Sequence, residues 1–221
     1  MNPVGDFRTF REEFLSRYSD YGDHDEVSFG ILIADYRQTD AREYIINYLE
    51  DFNRASGRAF DFFIPGYLER RVADWYDSDG RVHDRQMIRV SRNGYSNTNY
   101  CFSYDLFRQF CEKLHSIFGI QYTFNPMLIL MAMEKGYIGT ARYIVIELDS
   151  APYGIRRSGQ LFSRIFEIAR SDNSLEAFKK KCSLFYIKDN IINTIAGAIG
   201  VPWLEQIATV GNEIKRYRIV G

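Results

Sequence analysis

The sequence predicts an α/β fold: a three-layer sandwich with a central, mostly parallel sheet of four to six strands and helices on both faces. Two apolar runs of strand length, residues 27–34 and 141–148, are typical of strands that are buried on both faces, as in parallel sheets. Segments with apolar residues at helical spacing alternate with the strand-like runs, which favours an α/β fold. The chain has 221 residues, of which 46% are hydrophobic, and this is enough for one domain with a full core.

An amphipathic helix is predicted near the start of the chain. Phe7, Phe10 and Phe14 recur at helical spacing among charged residues, and the pattern ends near Tyr18. The first apolar strand, residues 27–34, follows an acidic and polar segment.

A crossover unit is predicted next. Thr39 or Asp40 can cap a helix that Gly57 would terminate. A second strand, residues 59–64, stops at the turn signal Pro65-Gly66. A strand, a helix and a strand in this order match the right-handed crossover that joins parallel strands.

Regular patterning weakens over residues 69–99, where Arg, Asp, Gly and Asn dominate. Residues 87–90 are a short strand candidate, and the turn signals at 77–80 and 93–94 could bracket a hairpin or a mobile loop. We therefore expect an inserted loop or hairpin within a single domain that spans residues 1–221.

Regular patterning returns after the insertion. The elements expected there are a helix between Ser103 and Gly119, a helix over 125–135, the strand 141–148, helices over 161–169 and 175–181, a strand over 184–187, a helix over 190–199 and an edge strand over 217–220. The helix over 125–135 is predicted because Pro126 suits a first helical turn and the segment is richly apolar.

Composition argues against several classes of partner. The formal net charge is -1, which gives no electrostatic reason to expect nucleic acid or an anionic membrane as a partner. The sequence shows no signal peptide and no apolar stretch long enough for a membrane span. The three cysteines are too few and too scattered for a disulfide framework or a metal knuckle. We therefore expect a soluble cytoplasmic protein that does not bind a membrane.

Aromatic side chains are abundant, with 17 Phe and 16 Tyr. They could form a surface that stacks bases, or an aromatic core with tyrosine hydroxyls at its rim. Helix or strand spacing of many of these residues favours the core. Cys111 lies on an apolar helix stripe, so a buried structural thiol is favoured over a nucleophile.

Carboxylates follow both apolar strands. Asp35 comes after the first strand, and Glu147 and Asp149 come at the end of the second. If the two strands are parallel neighbours, these three candidate catalytic residues converge at the sheet edge where α/β folds place ligands. They could act as a general base or hold a divalent cation, although no metal motif is present. In the alternative, Asp35 pairs with a nearby Arg, and Glu147 and Asp149 are solvated.

The same edge offers candidate ligand-binding residues. Tyr36 and Tyr67 could stack a base, and Arg37 and Arg156 could bind phosphate. Neither G-x-G-x-x-G nor G-x-x-x-x-G-K-[ST] follows the first strand, so the dinucleotide grip and the P-loop are not expected. The sequence names no cofactor.

The order of strand, Asp-Tyr-Arg, Thr-Asp and amphipathic helix over residues 27–57 resembles the opening of TIR-type domains. Such domains bind or cleave NAD, or act as signalling adaptors. Their enzymes need a catalytic Glu on a later helix, and Glu112 is the residue that the resemblance would assign to this role. The long insertion before Glu112 departs from the usual order of elements.

The function predicted from these patterns is that of a ligand-binding or signalling domain with a nucleotide-like small molecule at the strand-end edge, for example in defence or stress signalling. One alternative is a metal-assisted phosphodiester or N-glycosidic hydrolase. The other is a structural subunit, in which residues 191–210 pack on a protein partner or on a second copy of the chain.

Overall fold

The structure is a computed structural model, and it describes residues 2–18, 27–45, 60–69, 87–92, 96–134, 137–148, 162–163, 165–172, 174–178, 180 and 214–220. The strands and helices in these ranges are β1 (Asn2–Val4), α1 (Phe7–Tyr18), β2 (Val27–Ile33), β3 (Phe62–Pro65), β4 (Tyr67–Glu69), β5 (Met87–Arg92), β6 (Ser96–Phe102), α2 (Tyr104–Phe118), β7 (Met127–Glu134), β8 (Tyr137–Leu148) and β9 (Ile214–Val220). Residues 39–45, 165–171 and 175–178 are also helical.

The main sheet is mixed, with the strand order β1-β3-β2-β7-β8-β9. β3 pairs in parallel with β1 and with β2, whereas the pairs β2/β7, β7/β8 and β8/β9 are antiparallel. The α/β content is confirmed, but the prediction of a mostly parallel sheet is wrong. The error has a physical reason: a continuous apolar run reports burial on both faces of a strand and does not report the direction of its neighbours.

The helix predicted over residues 125–135 is also wrong, because this segment forms β7. Residues 127–133 are all buried between β2 and β8. A short apolar run cannot be assigned to a buried helix or to a central strand by periodicity alone. Pro126 immediately precedes the strand, and its carbonyl accepts a 2.8 Å hydrogen bond from the amide of Leu148.

Aromatic residues of helical segments contact both faces of β3. Phe62 and Phe63 are neighbours in β3 and therefore point to opposite faces. The Phe63 ring lies 5.0 Å from the ring of Phe10 in α1, and Phe10 lies 5.7 Å from Phe110 in α2. On the opposite face, Phe166 lies 5.4 Å from Phe62. These contacts agree with helices on both faces, and the complete three-layer sandwich stays a prediction.

The segment expected to be an insertion forms part of a second sheet. β5 and β6 are an antiparallel pair, and β4 joins them in the order β4-β6-β5. β4 continues from β3 through Gly66, so the smaller sheet is attached directly to the end of β3. β9 agrees with the expected edge strand, and β1 is a strand that sequence reasoning missed. The predicted strand over 184–187 and helix over 190–199 lie outside the described residues.

None of the helices in the described ranges is long and apolar enough to cross a membrane.

Candidate functional site

The ends of β2 and β8 lie at the same edge of the main sheet. Ile33 pairs with Met127, and Met127 pairs with Glu147. Because β2 and β8 are each antiparallel to β7, they run in the same direction. With neighbouring strands about 4.8 Å apart, the backbones at Ile33 and Glu147 are separated by about 10 Å. The expectation that the two strands are direct neighbours is wrong, since β7 lies between them, although their ends do share an edge.

Asp35 and Arg37 form a charged pair immediately after β2. The carboxylate of Asp35 is buried, with 2% of the side chain exposed. Its Oδ1 accepts a 3.0 Å hydrogen bond from the backbone amide of Arg37. The guanidinium of Arg37 donates to the same carboxylate from Nε, at 3.1 Å to Oδ1, and from Nη2, at 2.7 Å to Oδ2. This fork raises the pKa of Arg37 above its usual value, chiefly through the hydrogen bond to Asp35.

The ring of Tyr104, the first residue of α2, packs against the guanidinium of Arg37. The Cζ atom of Arg37 lies 3.2 Å from the centre of the Tyr104 ring, which is a cation–π contact. The side chain of Arg37 is nevertheless 44% exposed. Asp35 bonds the Nε and Nη2 atoms, and Nη1 makes no hydrogen bond to it. The guanidinium is therefore fixed on two sides and open to solvent on another.

Tyr36 and Tyr67 are buried in an aromatic cluster with Phe102. The exposed fraction is 5% for Tyr36 and 2% for Tyr67. The Tyr36 ring lies 6.4 Å from Tyr67 and 6.1 Å from Phe102. Their faces are occupied by packing, so a ligand could stack on them only by displacing these contacts.

Three protonated groups lie near Asp35. Burial raises the pKa of the Tyr67 and Tyr122 hydroxyls, and the negative charge of Asp35 adds to both shifts. Burial, together with the charge of Asp35, also raises the pKa of the Cys111 thiol, to about 12. At neutral pH Cys111 is therefore a thiol and not a thiolate, as expected for a structural cysteine. The buried hydroxyl of Tyr67 has no hydrogen-bond partner among the described residues.

The carboxylate of Glu147 has different hydrogen-bond partners from that of Asp35. It is buried, with 6% exposed, and its Oε1 accepts hydrogen bonds from the Thr123 hydroxyl, at 3.1 Å, and from the Asn125 amide. These two donors flank Phe124 in the loop between α2 and β7. Glu147 was predicted as a catalytic residue, and in the structure its carboxylate holds this loop.

Phe124 has a backbone conformation and an exposure that are unusual for a bulky apolar residue. Its φ of 65° lies in the left-handed region, which costs a bulky residue about 1–2 kcal/mol. Its side chain is 70% exposed, and its ring lies 5.7 Å from the ring of Tyr122. Tyr122 in turn lies close enough to Asp35 and Arg37 for both charges to influence the pKa of its hydroxyl.

Sequence reasoning also singled out Asp149, Arg156 and Asp40. Asp149 and Arg156 lie outside the described residues. Asp40, considered as a helix cap, is exposed within the helical residues 39–45. Within the described ranges, no group of three or more His, Cys, Asp or Glu side chains is placed to hold a metal ion.

Glu112, the residue singled out by the TIR resemblance, lines a separate open cleft of about 410 Å³ between α1 and α2. Its carboxylate pairs with Arg108 at 2.6 Å on the helix surface. Glu112 lies eight residues after Tyr104, which is about 12 Å along the axis of α2. The cleft is therefore displaced from Arg37 along the helix.

The chain matches no protein-family model, no curated protein and no solved structure. The site must therefore be judged on its own geometry.

Sequence reasoning singled out Asp35 and Arg37 at this edge but did not single out Tyr104 or Phe124. Tyr104 could have been found, since a helix capped at Ser103 places its first aromatic residue at a helix end. No sequence signal indicates that Phe124 adopts a left-handed conformation, because Gly, Asn and Asp are the residues expected there.

Proposed function

We propose that this protein is a ligand-binding domain, and that it binds an anionic, nucleotide-like small molecule at the sheet edge beyond β2. The observation that carries the proposal is the guanidinium of Arg37, which is oriented by buried Asp35, stacked on Tyr104 and 44% exposed. A planar guanidinium that is already fixed loses little conformational freedom when it binds a phosphate or a carboxylate. A role in signalling agrees with binding of this kind.

The hydrolase alternative has weaker support. Both carboxylate oxygens of Asp35 accept hydrogen bonds from Arg37, so this carboxylate is engaged and not presented to a water molecule. Glu147 is similarly engaged by Thr123 and Asn125. In the described part of the chain, no three or more His, Cys, Asp or Glu side chains are grouped so that they could hold a metal ion.

The proposal is tested by measuring mononucleotide and pyrophosphate binding to the wild-type protein and to Arg37→Ala by calorimetry. We expect Arg37→Ala to weaken binding by about tenfold or more, since charge-assisted hydrogen bonds contribute about 1.5–3 kcal/mol. Arg37→Lys should also weaken binding, because a lysine keeps the charge but lacks the planar guanidinium that bonds Asp35 with two nitrogens and leaves a third for the ligand.

Arg17→Ala is a matched control. Arg17 is 35% exposed and pairs with Glu13 at 2.8 Å, so its loss also removes one partly exposed, ion-paired positive charge. It lies 3.8 Å from Asp61, which precedes β3 near the opposite end of the sheet. Equal affinities of wild-type and Arg37→Ala proteins, or equal losses in Arg37→Ala and Arg17→Ala, would contradict the proposal.

A further inference from the structure

Phe124 combines two features that a loop residue normally avoids. Its backbone is held in the left-handed region, with φ of 65°, and the residue is 70% exposed to water. Neither feature contributes to burial of the core, and strained positions of this kind concentrate at ligand sites. We therefore expect Phe124 to have a role other than packing in the core.

The loop around Phe124 is held by the end of β8. Thr123 and Asn125, on either side of Phe124, both donate hydrogen bonds to the buried carboxylate of Glu147. One residue further on, the carbonyl of Pro126 accepts a hydrogen bond from Leu148. The exposed ring is thus presented by a backbone that is fixed on both sides.

Phe124 and Arg37 also lie at the same edge of the sheet: Ile33 pairs with Met127, so Arg37 follows the end of β2 where Phe124 precedes the start of β7. The ring of Tyr122 lies 5.7 Å from that of Phe124, and the charges of Asp35 and Arg37 both act on the pKa of its hydroxyl. Beside Asp35, the hydroxyl of Tyr67 is almost completely buried and has no hydrogen-bond partner in the described ranges. An exposed guanidinium, an exposed aromatic face and buried polar groups therefore share one edge.

We propose that Phe124 is the stacking platform for the base of a nucleoside monophosphate whose phosphate is bound by Arg37. This inference rests on the proposed function and names its ligand class. A base presents a flat apolar face to an aromatic ring, and a phosphate oxygen can accept a hydrogen bond from Nη1 of Arg37, the nitrogen that does not bond Asp35. Glu147 is a positioning residue in this scheme, because it acts through the loop that carries Phe124.

The test compares ligands with and without the base. Binding of 5′-AMP, 5′-GMP, 5′-CMP, 5′-UMP and ribose 5-phosphate is measured by calorimetry for wild-type, Phe124→Ala, Phe124→Tyr and Arg37→Ala proteins. We expect at least one mononucleotide to bind the wild-type protein more tightly than ribose 5-phosphate does. Phe124→Ala should weaken its binding by about tenfold or more, which is typical of loss of a stacked aromatic side chain, and should leave ribose 5-phosphate unaffected. Phe124→Tyr should restore the affinity.

Leu15→Ala is the control for loss of exposed apolar surface, since Leu15 is 44% exposed on α1. It should bind every ligand as the wild-type protein does. Circular dichroism of each variant checks that the fold is retained.

The outcomes separate this inference from the proposed function. If Arg37→Ala loses mononucleotide binding but the affinity of Phe124→Ala stays within twofold of wild type, Phe124 does not stack the base. Anion binding at Arg37 is then still supported. A mononucleotide that binds no more tightly than ribose 5-phosphate also overturns the platform. If the wild-type protein binds none of these ligands at millimolar concentration, the proposed function itself is overturned.

Discussion

Asp35 is a buried anion, and its neighbours are arranged around its charge. Arg37 neutralises it from two residues away, while Tyr67, Tyr122 and Cys111 stay protonated near it. The pairing of Asp35 with a nearby arginine was foreseeable, because the two side chains are close in sequence. Burial of Tyr36 and Tyr67 was not foreseeable, since a tyrosine pattern does not distinguish a core ring from an exposed one.

At the scale of single residues, the raised pKa of Cys111 predicts a loss of stability in alkali. The unfolded thiol ionises near 9.0, whereas the folded thiol ionises near 12. Its contribution to stability is therefore complete below pH 9 and is lost as the pH rises toward 12, because the unfolded state releases its proton first. Urea unfolding at a series of pH values checks this expectation.

Cys111→Ala isolates the effect of this thiol from the general titration of lysines and tyrosines. We expect the free energy of unfolding of Cys111→Ala to fall less between about pH 8 and about pH 10.5 than that of the wild-type protein. An equal fall in the two proteins would show that the Cys111 thiol ionises normally in the folded state.

At the scale of elements, the apolar pattern of β7 does not determine whether the segment is a helix or a strand. Its apolar run is compatible with a buried helix and with a central strand, and only its pairing with β2 and β8 decides between them. By contrast, α1 and α2 have a polar face and an apolar face, and their bounds agree with the prediction. The direction of the strands could not be read because burial on both faces does not encode it.

Gly66 joins β3 to β4 and provides a prediction at this scale. Its φ is 89°, and a Cβ atom at this position would lie 2.8 Å from the Cβ of Phe107 and 2.9 Å from the ring of Phe102. We expect Gly66→Ala to lower the free energy of unfolding by about 2–4 kcal/mol, through left-handed strain and overpacking together. Urea unfolding measures the change.

Gly119 is the matched control for Gly66. It ends α2 with φ of 66°, and a Cβ atom there would meet nothing within 4 Å. Gly119→Ala should therefore cost only the left-handed strain, about 1–2 kcal/mol. If the two substitutions are equally destabilising, packing around Gly66 is not as close as the structure indicates.

At the scale of the whole molecule, the topology brings the candidate site together. β2 and β8 are both antiparallel to β7, which lies between them, so they run in the same direction and end at one edge. The helix α2 begins at the same edge with Tyr104. The sequence predicted the site at this edge by analogy with parallel sheets. The two strand ends share the edge because each strand pairs antiparallel with β7. Phe124 could not be found from the sequence, since its exposure depends on hydrogen bonds between a loop and a distant strand.

The most direct test of the anion site is a nuclear magnetic resonance titration of the ¹⁵N-labelled protein with a mononucleotide. The Nε–H signal of Arg37 is assigned by its absence from Arg37→Lys. We expect this signal, with the backbone amides of Tyr104 and Phe124, to shift in a saturable manner. The absence of a saturable shift at millimolar ligand, or shifts confined to the cleft around Lys113 and Ser116, would contradict binding at Arg37.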